Sequence, residues 1–148
     1  MKRILSGIKP TNTLNVGGYL GAVKNWVKMQ YEAECFLFVA DLHALTDPPE
    51  PEILRSHTRE IAATYLACGI DPEHCTIFVQ SHVPAHAELG WMLSCLAPVG
   101  WMNRMTQFKD KAGKDKDAAN AGLYTYPILM TADILLYQAT HVPVGDDQ

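Results

Sequence analysis

Short apolar runs alternate along this chain with longer segments whose apolar residues recur every three to four positions, the pattern of strands alternating with amphipathic helices. Ile4-Leu5-Ser6-Gly7-Ile8 has strand length and ends at Lys9-Pro10, where proline removes a ladder donor. Pro10 to Gly18 holds Thr11, Asn12, Thr13, Asn15, Gly17 and Gly18 and predicts a loop, after which Leu20, Val23, Val27 and Gln30 fall at helical spacing. Cys35 to Ala40 is apolar throughout, as a strand covered on both faces of a parallel sheet must be. Pro48, Pro49 and Pro51 predict a helix start, with Ile53, Leu54, Ile61, Tyr65 and Leu66 as its stripe and Gly69 as its stop.

Thr76-Ile77-Phe78-Val79-Gln80 predicts a third strand from its β-branched and aromatic residues. Pro84 then opens a helix carrying Leu89, Met92, Leu93 and Leu96 at i, i+3, i+4 and i+7. Lys109 to Asp117, polar and of mixed charge, predicts a mobile surface loop. Pro127 to Gln138 predicts an apolar helix, and Val142-Pro143-Val144-Gly145 a last short strand. The alternation implies an α/β fold: a doubly wound parallel sheet with helices on both faces and ligands beyond the carboxyl ends of its strands. No repeat or linker divides it.

The 148 residues include 12 Lys+Arg and 16 Asp+Glu, a formal charge of −4, with 48% apolar residues. A chain of this length buries about 68–70% of its unfolded surface, which excludes disorder and a disulfide-stapled mini-scaffold. The negative balance confines any nucleic-acid contact to a local basic edge. Cys35, Cys68, Cys75 and Cys95 form no C-x-x-C pair and read as small core hydrophobes of a reducing compartment. Met1-Lys2-Arg3 does not open a signal peptide, and no apolar run approaches the roughly 18 residues of a membrane span. A cytoplasmic location without membrane contact is expected.

Several residues are candidates for chemistry. The Gly17-Gly18 loop precedes a helix and could present N–H groups to an anion, although it lacks G-x-G-x-x-G and the P-loop lysine, and a plain strand-to-helix turn explains it equally well. Asp133 shares a helix face with Met130 and Tyr137. A carboxylate buried there without a donor costs at least about 1–3 kcal/mol, so a ligand N–H or O–H must reach it, or an internal hydroxyl such as that of Thr131 or a tyrosine. His43 follows the strand end at Asp41-Leu42, where ligands are often met and where structural histidines also occur. His82 and His86, separated by Pro84 and without a third ligand, make no metal site and are expected at a surface or interface. Trp91, Met92, Trp101, Met102 and Met105 suggest an exposed or interfacial apolar patch, with core packing as the competitor. No serine, cysteine or lysine stands beside an evident base, so covalent catalysis is not signalled.

Five blocks in order, Ser6-Gly7-Ile8-Lys9-Pro10-Thr11, Gly17-Gly18-Tyr19-Leu20-Gly21-Ala22, Asp41-Leu42-His43-Ala44-Leu45-Thr46, Tyr126-Pro127-Ile128-Leu129-Met130 and Val142-Pro143-Val144-Gly145-Asp146-Asp147-Gln148, resemble the bacterial-type tryptophanyl-tRNA synthetases. The tyrosyl enzymes are the nearest relatives, but the Tyr126 to Tyr137 block and His43-Ala44-Leu45-Thr46 look like the tryptophan branch. The resemblance implies a Rossmann-like class I catalytic domain, incomplete here. Residues 1–148 would be its N-terminal part, with a connecting helical insertion at about 82–122. The family's M-S-K motif and anticodon-binding domain would lie beyond Gln148.

The implied activity converts ATP, L-tryptophan and tRNA(Trp) to AMP, diphosphate and tryptophanyl-tRNA, with ATP accompanied by Mg2+. By the same resemblance, Asn15, Gly17 and Gly18 position ATP, with Lys9, Pro10 and Thr11 beside them and Gly145, Asp146 and Asp147 near the adenosine. Asp133 would accept the indole N–H. Leu5, Gly7, His43, Tyr126, Met130, Ile134, Val142, Val144 and Gln148 would line the tryptophan pocket. The Trp91 to Phe108 region would form a homodimer contact. Asn15 and Gly18 depart from the family's usual signature residues, histidine or threonine first and histidine or asparagine last. A fragment that binds tryptophan or adenosine without turnover, and a small nucleotidyltransferase of related fold, remain as alternatives.

Overall fold

The computed structural model describes residues 2–105 and 119–144. Three strands, β1 (Arg3–Ile8), β2 (Glu34–Val39) and β3 (Cys75–Val79), pair in parallel in the order β1-β2-β3. The register sets Leu5 opposite Phe36 and Gly7 opposite Phe38 in the first pair, and Cys35 opposite Cys75 in the second. The helices are α1 (Val16–Gly18), α2 (Lys24–Met29), α3 (Asp41–Ala44), α4 (Pro51–Ala67), α5 (Ala85–Ser94), α6 (Val99–Met102) and α7 (Ala121–Leu136). The segment expected as one helix after the first loop is α1, a wide turn over Tyr19–Val23, and α2.

Both faces of the sheet are covered, which is why the strands are apolar almost throughout. On one face Ile4, Leu37, Val39 and Cys75 pack with Val23, Trp26, Ile61, Tyr65 and Ile70, so that α2 and α4 lie there. On the other, Leu5, Phe38 and Ala40 pack with Ile134, Tyr137 and Ala139, so that α7 lies there. After α7 the chain returns alongside β1, where His141 makes a parallel bridge with Ile4 and its carbonyl accepts from the Leu5 N–H at 3.1 Å. With α2 and α4 on one face and α7 on the other, the direction of winding reverses at β1, the switch point of a doubly wound sheet.

Three boundaries differ from the sequence reading. Helix α7 begins at Ala121 because Asn120 caps it, its Oδ1 accepting from the Leu123 N–H at 2.8 Å, and Pro127 lies inside rather than at the start. Beyond His141 the described residues Val142 to Val144 continue no ladder, and Pro143 has no N–H with which to extend one; Gly145 lies outside the described residues. Gln80, expected as the end of β3, belongs to a tight turn over Gln80–His82. The stretch Lys109 to Asp117 also lies outside the described residues. Of the cysteines, Cys35 and Cys75 are buried as expected, whereas Cys95 is exposed.

Two details hold the carboxyl ends of β1 and β2 together. Gly7 must lack a side chain, because a Cβ there would come within 2.7 Å of the Phe38 carbonyl and 3.0 Å of its ring. Tyr65 reaches up from α4, fully buried, and its hydroxyl donates to the Phe38 carbonyl while accepting from the Ile8 N–H, each at 3.1 Å. Removing that hydroxyl strands a donor and an acceptor together. Tyr65→Phe is expected to lower unfolding free energy by about 1–3 kcal/mol in urea denaturation; a loss near zero would show that the bridge carries no stability.

Candidate functional site

The strands deliver their polar successors to one edge. Beyond β2 the chain turns into α3, whose Asp41, Leu42 and His43 stand at the carboxyl end of the strand. Beyond β3 the Gln80–His82 turn occupies the same edge. The two are tied together: Asp41 Oδ1 accepts from the backbone N–H groups of Leu42 at 3.1 Å and Ser81 at 2.9 Å, and Gln80 Oε1 also accepts from Leu42 at 3.1 Å. Because the Gln80 oxygen is used in this way, its Nε2 points to α7.

There it meets Asp133, which is 2% exposed. Gln80 Nε2 donates to Asp133 Oδ1 at 2.8 Å, His86 Nδ1 lies 2.6 Å from the same oxygen, and His43 Nε2 lies 2.7 Å from Oδ2. An ionised carboxylate only accepts, so each imidazole turns a protonated nitrogen toward it. Burial by itself raises the carboxyl's pKa, but the hydrogen bonds from His43, His86 and Gln80, together with the His43 charge when protonated, outweigh it and hold the group below its ordinary value. Asp133 is a stable buried anion.

His86 is 0% exposed and passes the network on, its Nε2 lying 2.9 Å from the Tyr137 hydroxyl. Burial, and then the Asp133 charge, push that hydroxyl up to about 12, so it stays protonated. Phe38, Phe78 and Tyr137 enclose the ring, with centroids 5.4 to 6.1 Å away. Gly90, buried on α5, faces Leu129 and Ala132 of α7, where a Cβ would make only ordinary contact.

The sequence reading placed Asp133 in a buried position correctly, but its internal partners are neither Thr131 nor a tyrosine. Thr131 Oγ1 donates to its own helix at the Pro127 carbonyl, 2.8 Å away, and Tyr137 reaches Asp133 only through His86. The expectation of a surface His86 is corrected as well, although His82 is exposed. An aromatic floor and an acceptor helix packed against it draw His86 inward. Gln80 and His86 were missed as site residues. A histidine two residues after Pro84, on a helix as apolar as Ala85–Ser94, is the available signal.

The other expected residues divide into groups. Leu5 is buried and packs with Ile134, and Gly7 shares its face of β1. Tyr126 stands one turn before Met130 on α7 and meets the His43 ring edge-on, with centroids 6.2 Å apart. Burial raises the Tyr126 hydroxyl above its usual pKa. Met130 is 47% exposed, and Val142 and Val144 are exposed where the chain leaves β1. Leu5, Gly7, His43, Tyr126, Asp133 and Ile134 are therefore set around the face of the sheet that α7 covers. Gln148, Gly145, Asp146 and Asp147 lie outside the described residues.

At the first loop, Lys9 is exposed, Pro10 is buried and Thr11 is half-buried. Asn15 caps α1, its Oδ1 accepting from the Gly18 N–H at 2.8 Å. Gly18 has ordinary right-handed helical angles, φ −63° and ψ −38°, and a Cβ there would meet the Leu14 side-chain tip at 2.8 Å and Asn15 Oδ1 at 3.6 Å. Glycine at this position thus answers no backbone need; it makes room for the Leu14 side chain. On α5, α6 and the turn between them, Trp91, Met92, Leu96, Val99 and Trp101 are all exposed, Trp91 by 73%, while Met102 is buried, contrary to its expected place in the apolar patch. Its direction follows from the short α6, whose inner side must face the domain.

Comparison with known proteins places this geometry. Residues 1–148 match the family described as tRNA synthetases class I (W and Y). A tryptophan–tRNA ligase of Rickettsia conorii is 56% identical over 147 residues, covering 99% of this chain and 44% of the relative. That of Caulobacter vibrioides is 56% identical over 146 residues, covering 99% and 42%. The solved tryptophanyl-tRNA synthetase of Campylobacter jejuni, in complex with ADP and tryptophan, superposes with a TM-score of 0.92 at 41% identity, covering 99% of this chain and 46% of that one. A tyrosyl-tRNA synthetase of Archaeoglobus fulgidus, 16% identical with a TM-score of 0.77, shares the fold. The chain spans less than half the length of the curated relatives it matches. Its doubly wound sheet, its buried carboxylate at the carboxyl edge and its match over every residue have one conclusion: the chain belongs to the class I tRNA synthetases of the tryptophan and tyrosine kind.

Proposed function

We propose that this chain forms the tryptophan-binding and ATP-binding part of a tryptophan–tRNA ligase. The observation that carries the reading is Asp133: an ionised carboxylate, buried beside His43 at the carboxyl edge of the sheet, suits the recognition of one ligand N–H in an apolar setting. Leu5, Gly7, Tyr126, Met130 and Ile134 supply apolar and aromatic walls for an indole, with Val142, Val144 and Gln148 completing the pocket. In the reaction the tryptophan carboxylate attacks the α-phosphorus of ATP, diphosphate leaves, and the tryptophanyl group then passes to a ribose hydroxyl at the end of tRNA(Trp). Such chemistry asks the protein for positioning and charge stabilisation rather than a nucleophile.

ATP would lie over Asn15, Gly17 and Gly18 with Lys9, Pro10 and Thr11 beside it, and Gly145, Asp146 and Asp147 toward the adenosine. Magnesium comes with ATP and meets no ready cage, because among the described residues no group of three His, Cys, Asp or Glu side chains could hold a metal. Phosphate oxygens and water are its natural ligands, and the residues described here perform no step through it. We further propose that 82–122 is the connecting insertion and that Trp91, Met92, Leu96, Val99 and Trp101, large apolar side chains all exposed within one short stretch of the chain, form a homodimer contact. No described helix is long and apolar enough to cross a membrane, and a cytoplasmic site of action accords with the proposed reaction.

Titration calorimetry is expected to show heat for tryptophan and none for phenylalanine, and Asp133→Asn is expected to weaken tryptophan at least about tenfold; equal binding of both amino acids by the folded protein would refute the reading. Acid stability gives a second test. The Asp133 carboxyl has a lowered pKa in the folded state, so its contribution is fully present above the unfolded value near about 3.9 and disappears as pH falls through the folded one. The stability gap between the parent and Asp133→Asn should therefore narrow only below that pH, and a gap that narrows already between pH 7 and 5 would contradict a carboxyl held ionised. For the dimer, Trp91→Glu is expected to sediment as a monomer at micromolar concentration where the parent sediments as a dimer; a monomeric parent would remove the proposal.

A further inference from the structure

Five polar residues are buried among the described ones: Ser6, Gln30, Gln80, His86 and Asp133. Gln30 is a local staple. Its Nε2 donates to the carbonyls of Val27 at 3.0 Å and Gly69 at 2.9 Å, and its Oε1 accepts from the Asp71 N–H at 2.7 Å, binding the end of α2 to the start of the turn before β3. Gln80 and His86 differ, because each commits a donor to the same oxygen of the same carboxylate.

The distribution of donors over that carboxylate is uneven. A carboxylate offers about four acceptor positions, two on each oxygen. Oδ1 receives Gln80 and His86 and is used up, and both donors come from the fully buried side. Oδ2 receives His43, whose side chain is 12% exposed and is the member of the network nearest the surface. One acceptor position remains, on Oδ2, on the His43 side. The buried donors are themselves fixed. Gln80 cannot turn its amide over without losing the Leu42 N–H, and His86 cannot change tautomer without setting a bare Nδ1 against the Asp133 carboxylate oxygen, acceptor against acceptor.

We propose that Gln80 and His86 are positioning residues for amino-acid recognition: by saturating Oδ1 from inside the fold they fix the turn of the Asp133 carboxylate and leave a single acceptor, on Oδ2, for the ligand. The proposal rests on the tryptophan reading above. It explains why a site for one N–H contains three protein donors. With fewer, the carboxylate could rotate or take up a proton, and a ligand lacking an N–H would lose less by comparison with tryptophan.

The test uses the full-length protein, with tryptophan and 3-benzothienylalanine, in which sulfur replaces the indole N–H, in tryptophan-dependent exchange of diphosphate into ATP. Gln80→Met and His86→Leu remove the inner donors, while His86→Asn retains an N–H near the place of Nδ1 and gives up only the link to Tyr137. Expected for Gln80→Met and His86→Leu are a KM for tryptophan raised about tenfold or more, a preference for tryptophan over the thienyl analogue reduced by a similar factor, and kcat and the KM for ATP within about threefold of the parent. His86→Asn should recover most of the preference. A preference unchanged in folded Gln80→Met and His86→Leu would overturn the proposal and leave the tryptophan reading standing, as would His86→Asn impaired as severely as His86→Leu. A parent protein that shows no preference would instead overturn the tryptophan reading itself.

Discussion

A carboxylate withdrawn from water must find its donors inside the protein, and the arrangement of this domain around its carboxyl edge follows from how Asp133 does so. The acceptor stands on α7, and its three donors arrive from α3, from the turn after β3 and from α5. Four separate segments must be in place before the charge is satisfied. Breaking a buried charge network by removing one member costs several times what an exposed pair contributes, so the geometry of these four segments is coupled. The same coupling that stabilises the anion gives the site its rigidity.

The sheet makes the arrangement possible. Parallel pairing brings the ends of β2 and β3 to one edge, and the chain there continues directly into His43 and Gln80. Gly7 lets the Phe38 ring lie across β1, and Phe38 in turn forms part of the aromatic enclosure of His86. Tyr65 locks the same strand ends from the opposite face. Core and site are thus one construction: the apolar face that carries α7 also fixes the depth at which its single carboxylate sits. The return of the chain beside β1 at His141 places Val142 and Val144 at the rim of that face.

Much of this was legible from the residues. The three strands are short, mostly apolar runs, and α4 is bounded by Pro51 at one end and by Gly69, at φ +98°, just past the other. Asp133 was legible as a buried charge because its helical neighbours are apolar, and the resemblance supplied a ligand for it. What periodicity could not supply is which distant side chain answers it. Gln80 lies 53 and His86 47 positions away, and nothing local in Gln80-Ser81-His82 or Ala85-His86-Ala87 distinguishes a donor that turns inward from a polar residue at the surface. The start of α7 was missed for a different reason: proline at 127 was read as a first-turn residue, whereas the capping oxygen at Asn120 decides where the helix begins.

In the proposed site Asp133, held by three protein donors, keeps one acceptor for the indole N–H of tryptophan. A crystal structure of the full-length protein with tryptophan bound measures this directly. The indole nitrogen is expected within about 2.7–3.2 Å of Asp133 Oδ2, with Gln80 and His86 still on Oδ1. An indole nitrogen bonded elsewhere, with Asp133 satisfied by its own three donors alone, would contradict it.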